Sequence, residues 1–497
     1  MTASGLRGNK DTASLNPAGS YRRFKIEPIE APPRSKQPRP FNPRVSKVGL
    51  AKVLLREVIH LGFKLRRKEY RHALLSRPCI YGTFSGRFGG FHPIKDRCTG
   101  CMRCVQENPG ICHVDRNPEF FKFADSYWIP QDPNRASYSP VSTVAYEAST
   151  GKIQIKGMGY KGSFAGSGWD DIWTDMSEIV RPTRDGVYGR EYISTLVDLG
   201  SKPKFFEVAN EILKHVSRTV EIPLPIIFDY LPANLNDESI LQSIALTARQ
   251  VGTLFIATPE QAGSLLGNHS GHLMPLVSPS SVILNRNTIT SAPAVELLEF
   301  DRDAVQQIRA IDQTLPISIR LPSSKKADRV ATELAKDGVD VIHLCANYHG
   351  KGWVGEDSMF VKDLIRSVHG ALVKEALRDD VTLVVSGGIT LAEHVPKAIA
   401  CGADLIALDT TTLVALQAEF IGQCESAKTG RIKREKFDFH WGQQRLVNLL
   451  ASWHDQLIEI LSAMGMRDVR RLRGDIGRIM FNEDLEREAF GNIDRRT

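Results

Sequence analysis

At 497 residues and 42% hydrophobic, the chain has enough apolar material for a large core spread over two or three structural units, and no apolar run long enough to span a bilayer. Its net charge of +7 is uneven, because residues 1–78 hold 18 Lys/Arg against 5 Asp/Glu and the remainder is slightly acidic. Tyr21-Arg22-Arg23-Phe24-Lys25 is followed by Ile26-Glu27-Pro28 where an export signal needs an apolar segment, which excludes export, and no recognition motif or basic–aromatic interleaving points to nucleic acid.

Residues 1–46 are rich in Pro, Ser, Asn and Arg and poor in aromatics, so an extended basic arm is expected that cannot pack alone. Across 47–78 the pattern changes. Val48, Ala51, Leu55, Val58, Ile59 and Phe63 recur at helical spacing among Lys47, Lys52, Arg56, Lys64, Arg66, Arg67 and Lys68. This predicts a basic amphipathic helix for an anionic membrane surface, a partner subunit, or the chain's own core.

Residues 79–150 read as a ferredoxin-like iron–sulfur segment. Cys98-Thr99-Gly100-Cys101-Met102-Arg103-Cys104 sets three thiols at Cys-x2-Cys-x2-Cys spacing, each short step turning the next sulfur back toward one centre, with Gly100 leaving room for the backbone. Zinc loops usually separate their Cys-x2-Cys pairs, so a third cysteine at the same step favours one 4Fe–4S cluster. Proximity makes Cys112 the expected fourth ligand. Cys79 is the competitor, since a fourth ligand can come from a distant part of the chain. A thiolate-ligated cluster beside reduced Cys345, Cys401 and Cys424 fits the cytoplasm, either free, peripheral to the inner membrane or within a complex.

A connecting segment covers 151–219, and an α/β body covers 220–425. Strands are expected at Pro225–Phe228, Thr253–Ala257, Met274–Val277, Ser281–Leu284, Ile317–Leu321, Val339–Leu344, Val381–Val385 and Asp404–Leu408, with helices at Ala327–Asp337, Met359–Leu377 and Ala392–Cys401. Eight strands predict a (β/α)8 barrel. A doubly wound sheet stays open because 258–302 yields no clean βα units. The loops after the last two strands place Ser386, Gly387 and Gly388, then Gly402, Thr410 and Thr411, where barrels commonly bind phosphate. Gly350-Lys351-Gly352-Trp353-Val354-Gly355 has the form of a dinucleotide fingerprint, but it follows the sixth strand and runs into Glu356 and Asp357, which argues against nicotinamide binding. Residues 426–497 form a helical tail.

Over roughly residues 90–480 the chain resembles the flavin-binding synthase domain of glutamate synthase, especially the short related proteins with a ferredoxin-like cluster ahead of the barrel. The resemblance rests on the cysteine run followed by the α/β body, on Val385-Ser386-Gly387-Gly388-Ile389 with Gly402-Ala403-Asp404, and on Met464-Gly465-Met466-Arg467-Asp468-Val469-Arg470-Arg471-Leu472-Arg473-Gly474. It implies a TIM-type barrel that binds FMN and reduces the imine of 2-oxoglutarate and ammonia to glutamate. Electrons would come from a ferredoxin or a reductase subunit through the cluster of Cys98, Cys101, Cys104 and Cys112. Ser386, Gly387, Gly388, Gly402, Thr410 and Thr411 would hold the cofactor, and Arg320, in place of a lysine, would face the flavin. His349 and Lys351 would meet the substrate carboxylate or deliver a proton. The chain begins Met1-Thr2-Ala3 rather than with a glutaminase cysteine, so nitrogen is expected from ammonium, another amine or a partner subunit.

Several positions depart from the family. The family's three-iron motif keeps only Cys424, with Leu413 and Glu419 at the other two positions, so that cluster is expected to be absent. The first two barrel loops, Asp229-Tyr230-Leu231-Pro232 and Thr258-Pro259-Glu260-Gln261, lack the family's small residues. These changes leave two alternatives: a non-catalytic scaffold or electron-relay subunit, or an FMN enzyme with a different amine or quinone acceptor.

Overall fold

The computed structural model describes residues 24–34, 41–46, 79, 81–84, 93–107, 109–120, 140–153, 168–174, 192–201 and 218–482 except 233, 264–268, 353–358 and 422–429, with isolated positions between. Its centre is a closed parallel barrel of eight strands: β1 Ile226–Phe228, β2 Phe255–Ala257, β3 Leu273–Val277, β4 Val295–Leu297, β5 Ile317–Pro322, β6 Val341–Cys345, β7 Thr382–Ser386 and β8 Leu405–Leu408. β8 pairs back onto β1 through Ile406–Leu408, which rules out the doubly wound sheet. In these strands only Arg320 and Pro322 escape full burial. Helices covering the outside explain why the strands are apolar runs instead of alternating ones.

The fourth strand differs from expectation. Ser281–Leu284 belongs to a turn held by the Ser281 hydroxyl on Ser278 O and the Asn285 amide on Ser281 O, and Ile283 and Leu284 are exposed. Side-chain bonds of this kind compete with strand pairing. The strand is instead Val295–Leu297, hidden in the sequence by Glu296 at its centre.

Besides short helical turns at Arg103–Glu107, Pro259–Ala262 and Arg286–Ser291, the helices are α1 Pro140–Thr150, α2 Glu238–Val251, α3 Arg302–Ile311, α4 Ala327–Lys336, α5 Val361–Lys374, α6 His394–Cys401, α7 Thr410–Ala415 and α8 Phe439–Ala463. Local chemistry sets their ends. Asp237 caps α2 by accepting from Ile240 N, Asp301 caps α3 from Ala304 N, and Gly252 ends α2 in the left-handed region. Although α1 lies within the expected iron–sulfur segment, Val141, Val144 and Ala148 pack into the barrel's core.

The foot of the barrel is closed by a hairpin of Val197–Ser201 with Arg218–Ile222, whose Gly200 exchanges hydrogen bonds with the Thr382 hydroxyl. Buried Asp340 fastens it by taking Arg218 together with Arg309 and Ile317 N, and nearby half-buried Asp404 takes Arg378 and Arg473. Beyond α8 the expected helical tail becomes short 3-10 turns and a strand, Ile479–Phe481, paired with Ile172–Thr174.

Of the arm expected over 1–46, the described residues 24–34 hold no helix or strand and are docked on the body of the protein. Asn448 brackets the backbone of Ile29, Ala31 N donates to Ser149 O, and Trp441 Nε1 donates to Pro32 O. Phe41–Val45 then pairs antiparallel with Cys112–Arg116. Of the basic helix expected over 47–78, only Val48, Ala51 and Leu55 are described, and they are helical; the rest lies outside the described residues. Among the described residues no helix is long and apolar enough to cross a membrane.

Candidate functional site

The C-terminal mouth of the barrel is built on a buried charge cluster. Arg320 on β5 donates from Nη1 to Asp229 at 2.8 Å and to Glu296 at 2.9 Å, and from Nη2 to Asp229 at 3.2 Å. Glu296 also meets His343 Nδ1 at 2.6 Å and the Ser318 hydroxyl at 3.2 Å. Strand register explains the grouping, since Glu296 stands beside Ser318 and, two residues further along β5 on the same face, Arg320 stands beside His343. Ligand atoms of Asp229, Glu296 and His343 lie within 4.8 Å of one another, but the Arg320 guanidinium occupies both carboxylates, so the set is an ion-pair cluster.

Burial alone would raise Asp229, yet Arg320 and His343 outweigh it and hold the carboxyl at about 2; Glu296 is held down for the same reasons. Burial opposes charge on His343, but the Cys345 sulfur, Glu296 and Asp229 overcome it and lift the imidazole to about 10. Asp409, at the end of β8, is pushed up to about 7 by burial and by Asp229. The sequence reading identified Arg320 and missed its partners. Their signal was a charged residue inside an apolar strand, as in Val295-Glu296-Leu297 and Ile342-His343-Leu344.

After β6, Asn347 Oδ1 accepts from the backbone N–H of both His349 and Lys351 and shapes the loop. Burial, then the Lys351 charge, lowers His349 to about 4, so its ring is neutral near pH 7, while Lys351 is exposed.

Gly387 and Gly388 adopt φ of 94° and 71° after β7. A Cβ on Gly387 would sit 2.6 Å from Ala346 O, and one on Gly388 2.6 Å from Gly350 Cα, so the two glycines let the β7 turn lie directly on the β6 loop. Gly388→Ala is expected to cost about 2–4 kcal/mol, from left-handed strain plus a clash with backbone that cannot give way. Denaturant unfolding beside Gly271→Ala, whose Cβ meets nothing within 4 Å and whose backbone is not left-handed, checks this; equal midpoints would refute it.

Around that turn, the Ser386 hydroxyl serves Asp229 and Thr411 Oγ1 donates to Ile389 O at 2.7 Å. Thr410 Oγ1 is buried beside the Asp409 carboxyl, whose Oδ1 accepts from Thr410 N at 2.5 Å. Trp169 covers the turn, donating from Nε1 to Gly388 O and stacking on His394. The buried Thr410 hydroxyl beside the left-handed turn can turn to a phosphate oxygen; the Asp409 carboxyl fits one only when protonated, which a value near 7 permits. Gly402 is not brought to this group. It ends α6 at the foot of the barrel, against His369 and with its carbonyl on Arg378, and Gly474 of the tail closes on the same histidine.

The cysteine run forms a separate centre. Cys79, Cys98, Cys101 and Cys104 line one small cavity with Tyr81, Thr83 and Phe84. Gly100 N donates to the Cys98 sulfur and Arg103 N to Cys101, a pattern that stabilises thiolates. Gly100 has φ 74° and leaves no room for a Cβ against Phe41. Cys112 is fully buried, its sulfur hydrogen-bonded to that of Cys104. The donor set and cavity fit an iron–sulfur cluster.

Residues 292–467 match a conserved region in glutamate synthase. An archaeal-type glutamate synthase (NADPH) from Dehalococcoides mccartyi is 23% identical over 77% of this chain and 86% of its own length. An archaeal glutamate synthase (NADPH) from Archaeoglobus fulgidus is 22% identical over 80% of this chain and 88% of its own. Among solved structures, a flavocytochrome b2 variant with benzoylformate superposes with a TM-score of 0.44 and 12% identity over 66% of this chain and 78% of that one, too loosely to inform the site. The chain is therefore similar to glutamate synthases over most of its length, and the region matched to the family runs through the barrel from just before β4 to just beyond α8.

Proposed function

We propose that the protein is an iron–sulfur flavoprotein oxidoreductase of the glutamate synthase type, delivering two electrons and two protons to the imine of 2-oxoglutarate and ammonia to give glutamate. The observation that carries this reading is where the matched stretch falls. It runs from just before β4 to just beyond α8 and supplies Glu296, Arg320, His343, the Ser386–Gly388 turn and Thr410, which together make most of the barrel mouth. FMN bound there would supply hydride transfer to a carbon–nitrogen double bond. A 4Fe–4S cluster at the cysteine cavity would relay electrons from a ferredoxin or a reductase subunit, and the NADPH in the relatives' names makes an NADPH-oxidising subunit one such donor.

The chain's own groups have distinct tasks in this scheme. Gly387, Gly388 and Thr410 hold the phosphate, while Ser386 and Thr411 fix the turn from behind. Arg320 is held at the mouth by Asp229 and Glu296, as a fixed cation toward which negative charge can develop. Lys351 suits a substrate carboxylate, and neutral His349 beside it suits a hydrogen bond or a proton hand-over.

A second reading, the scaffold or relay subunit, is favoured by one observation: the Arg320 charge is already matched by two carboxylates, and a third, Asp409, sits on the helix end that a phosphate would use. Anaerobic purification with iron, sulfide and acid-released flavin quantified separates the two. About four irons and one FMN per chain, with glutamate formed from 2-oxoglutarate and ammonium by the reduced protein, is the expected result. Four irons without flavin, even after FMN addition, would establish the scaffold or relay instead; bound FMN with oxidation of another amine or reduction of a quinone would redirect the acceptor.

A further inference from the structure

We propose that Cys79, not Cys112, is the fourth cluster ligand, and that Cys112 is a hydrogen-bond donor to the Cys104 thiolate that sets the cluster's potential. This rests on the cluster reading above and deepens it. In a cubane cluster each thiolate binds a different iron, so the four sulfurs stand at the corners of a tetrahedron around the inorganic core. Cys104 and Cys112 have their sulfurs in hydrogen-bond contact and cannot hold two corners as placed. Cys79 faces the same cavity as Cys98, Cys101 and Cys104.

Backbone donors support the same assignment. Thr83 N donates to the Cys79 sulfur at 3.2 Å, as Gly100 N and Arg103 N do for Cys98 and Cys101. The turn that holds Cys79 is independently fixed, since Gly82 N donates to Cys79 O and Ile94 N to Thr83 O, tying it to the segment leading into Cys98. Cys112 instead begins the strand that pairs with Phe41–Val45, where it packs with Phe84 and Cys104 in a small apolar core. Once Cys104 ligates iron as a thiolate, the Cys112 S–H beside it donates to that sulfur. A hydrogen bond to a cluster sulfur favours the reduced state and raises the reduction potential.

The test is anaerobic iron and sulfide analysis, electron paramagnetic resonance and a redox titration on the full chain and its Cys79→Ala and Cys112→Ala variants. Cys112→Ala is expected to keep the wild-type iron and sulfide content with a more negative midpoint potential. Cys79→Ala is expected to lose one iron per cluster or the whole cluster, with the barrel's thermal unfolding by circular dichroism unchanged, which separates ligand loss from misfolding. Iron loss in Cys112→Ala, or full iron in Cys79→Ala, would overturn the assignment. Iron-free wild-type protein would overturn the cluster reading beneath it.

Discussion

Replacing Arg320 with methionine is expected to destabilise the barrel by about 3–5 kcal/mol, among the larger single-residue effects in the chain. The substitution is close in length, so the cost comes from charge. Asp229 and Glu296 are both buried, and each would lose its cation at 2.8 Å and 2.9 Å while keeping its carboxylate out of water. His343 remains on Glu296 and softens the loss on that side, which leaves Asp229 as the more exposed to it. Without Arg320 the carboxyl of Asp229 moves up from about 2, because the largest force opposing its burial is gone. The double variant Arg320→Met with Asp229→Asn should recover part of the stability, since a neutral pair has less to desolvate. Denaturant unfolding of both variants reads this directly. An Arg320→Met protein as stable as the parent would mean that the cluster is wetter and looser than its geometry indicates. Arg320→Lys should fall between, because a single ammonium cannot bridge two carboxylates as the guanidinium fork does.

The barrel was legible in the sequence wherever a strand was a plain apolar run. Val381–Val385, Asp404–Leu408 and Met274–Val277 all fall within a residue or so of the strands observed, because no charge sits inside the run. The fourth strand failed for the reason that makes it functional, since Glu296 interrupts Val295–Leu297 and makes the run look like a surface. A charge facing into a barrel has no local signature; only strand register shows that Glu296, Arg320 and His343 meet. The small-residue signals behaved differently. Gly387 and Gly388 were placed at the right end of the barrel, whereas Gly402 and Gly474 are packing positions around His369 at the foot. A glycine reports close approach of something, and sequence alone does not say whether that is a ligand or another part of the chain. In the cysteine run, proximity favoured Cys112, while the fold brings Cys79 to the cavity through the Tyr81–Phe84 turn.

Asp409→Asn is expected to make the protein more stable at pH 8 by on the order of 3 kcal/mol and to leave it unchanged near pH 4. The folded carboxyl titrates at about 7, raised by burial and then by Asp229, whereas an unfolded aspartate titrates near 3.9. A folded value above the unfolded one means that the folded state binds the proton more tightly. The stability this contributes is complete below about pH 4 and is lost as pH rises through about 7. Asparagine carries no charge to bury and can still accept from Thr410 N, so it keeps the low-pH stability across the whole range, less a few tenths of a kcal/mol for the lost carboxylate at the start of α7. Stability curves from pH 4 to 8 should therefore coincide at the acid end and separate between about pH 5 and 7; parallel curves would refute the raised value. The same proton governs the proposed phosphate site. Above pH 7 an ionised Asp409 competes for Thr410 N and repels a dianion, while below it the neutral carboxyl can donate to a phosphate oxygen. Inorganic phosphate or FMN titrated into the parent should bind more tightly at pH 6 than at pH 8, and in Asp409→Asn that preference for the lower pH should be lost, leaving only the phosphate's own titration near pH 6, so one residue links the barrel's acid stability to cofactor binding.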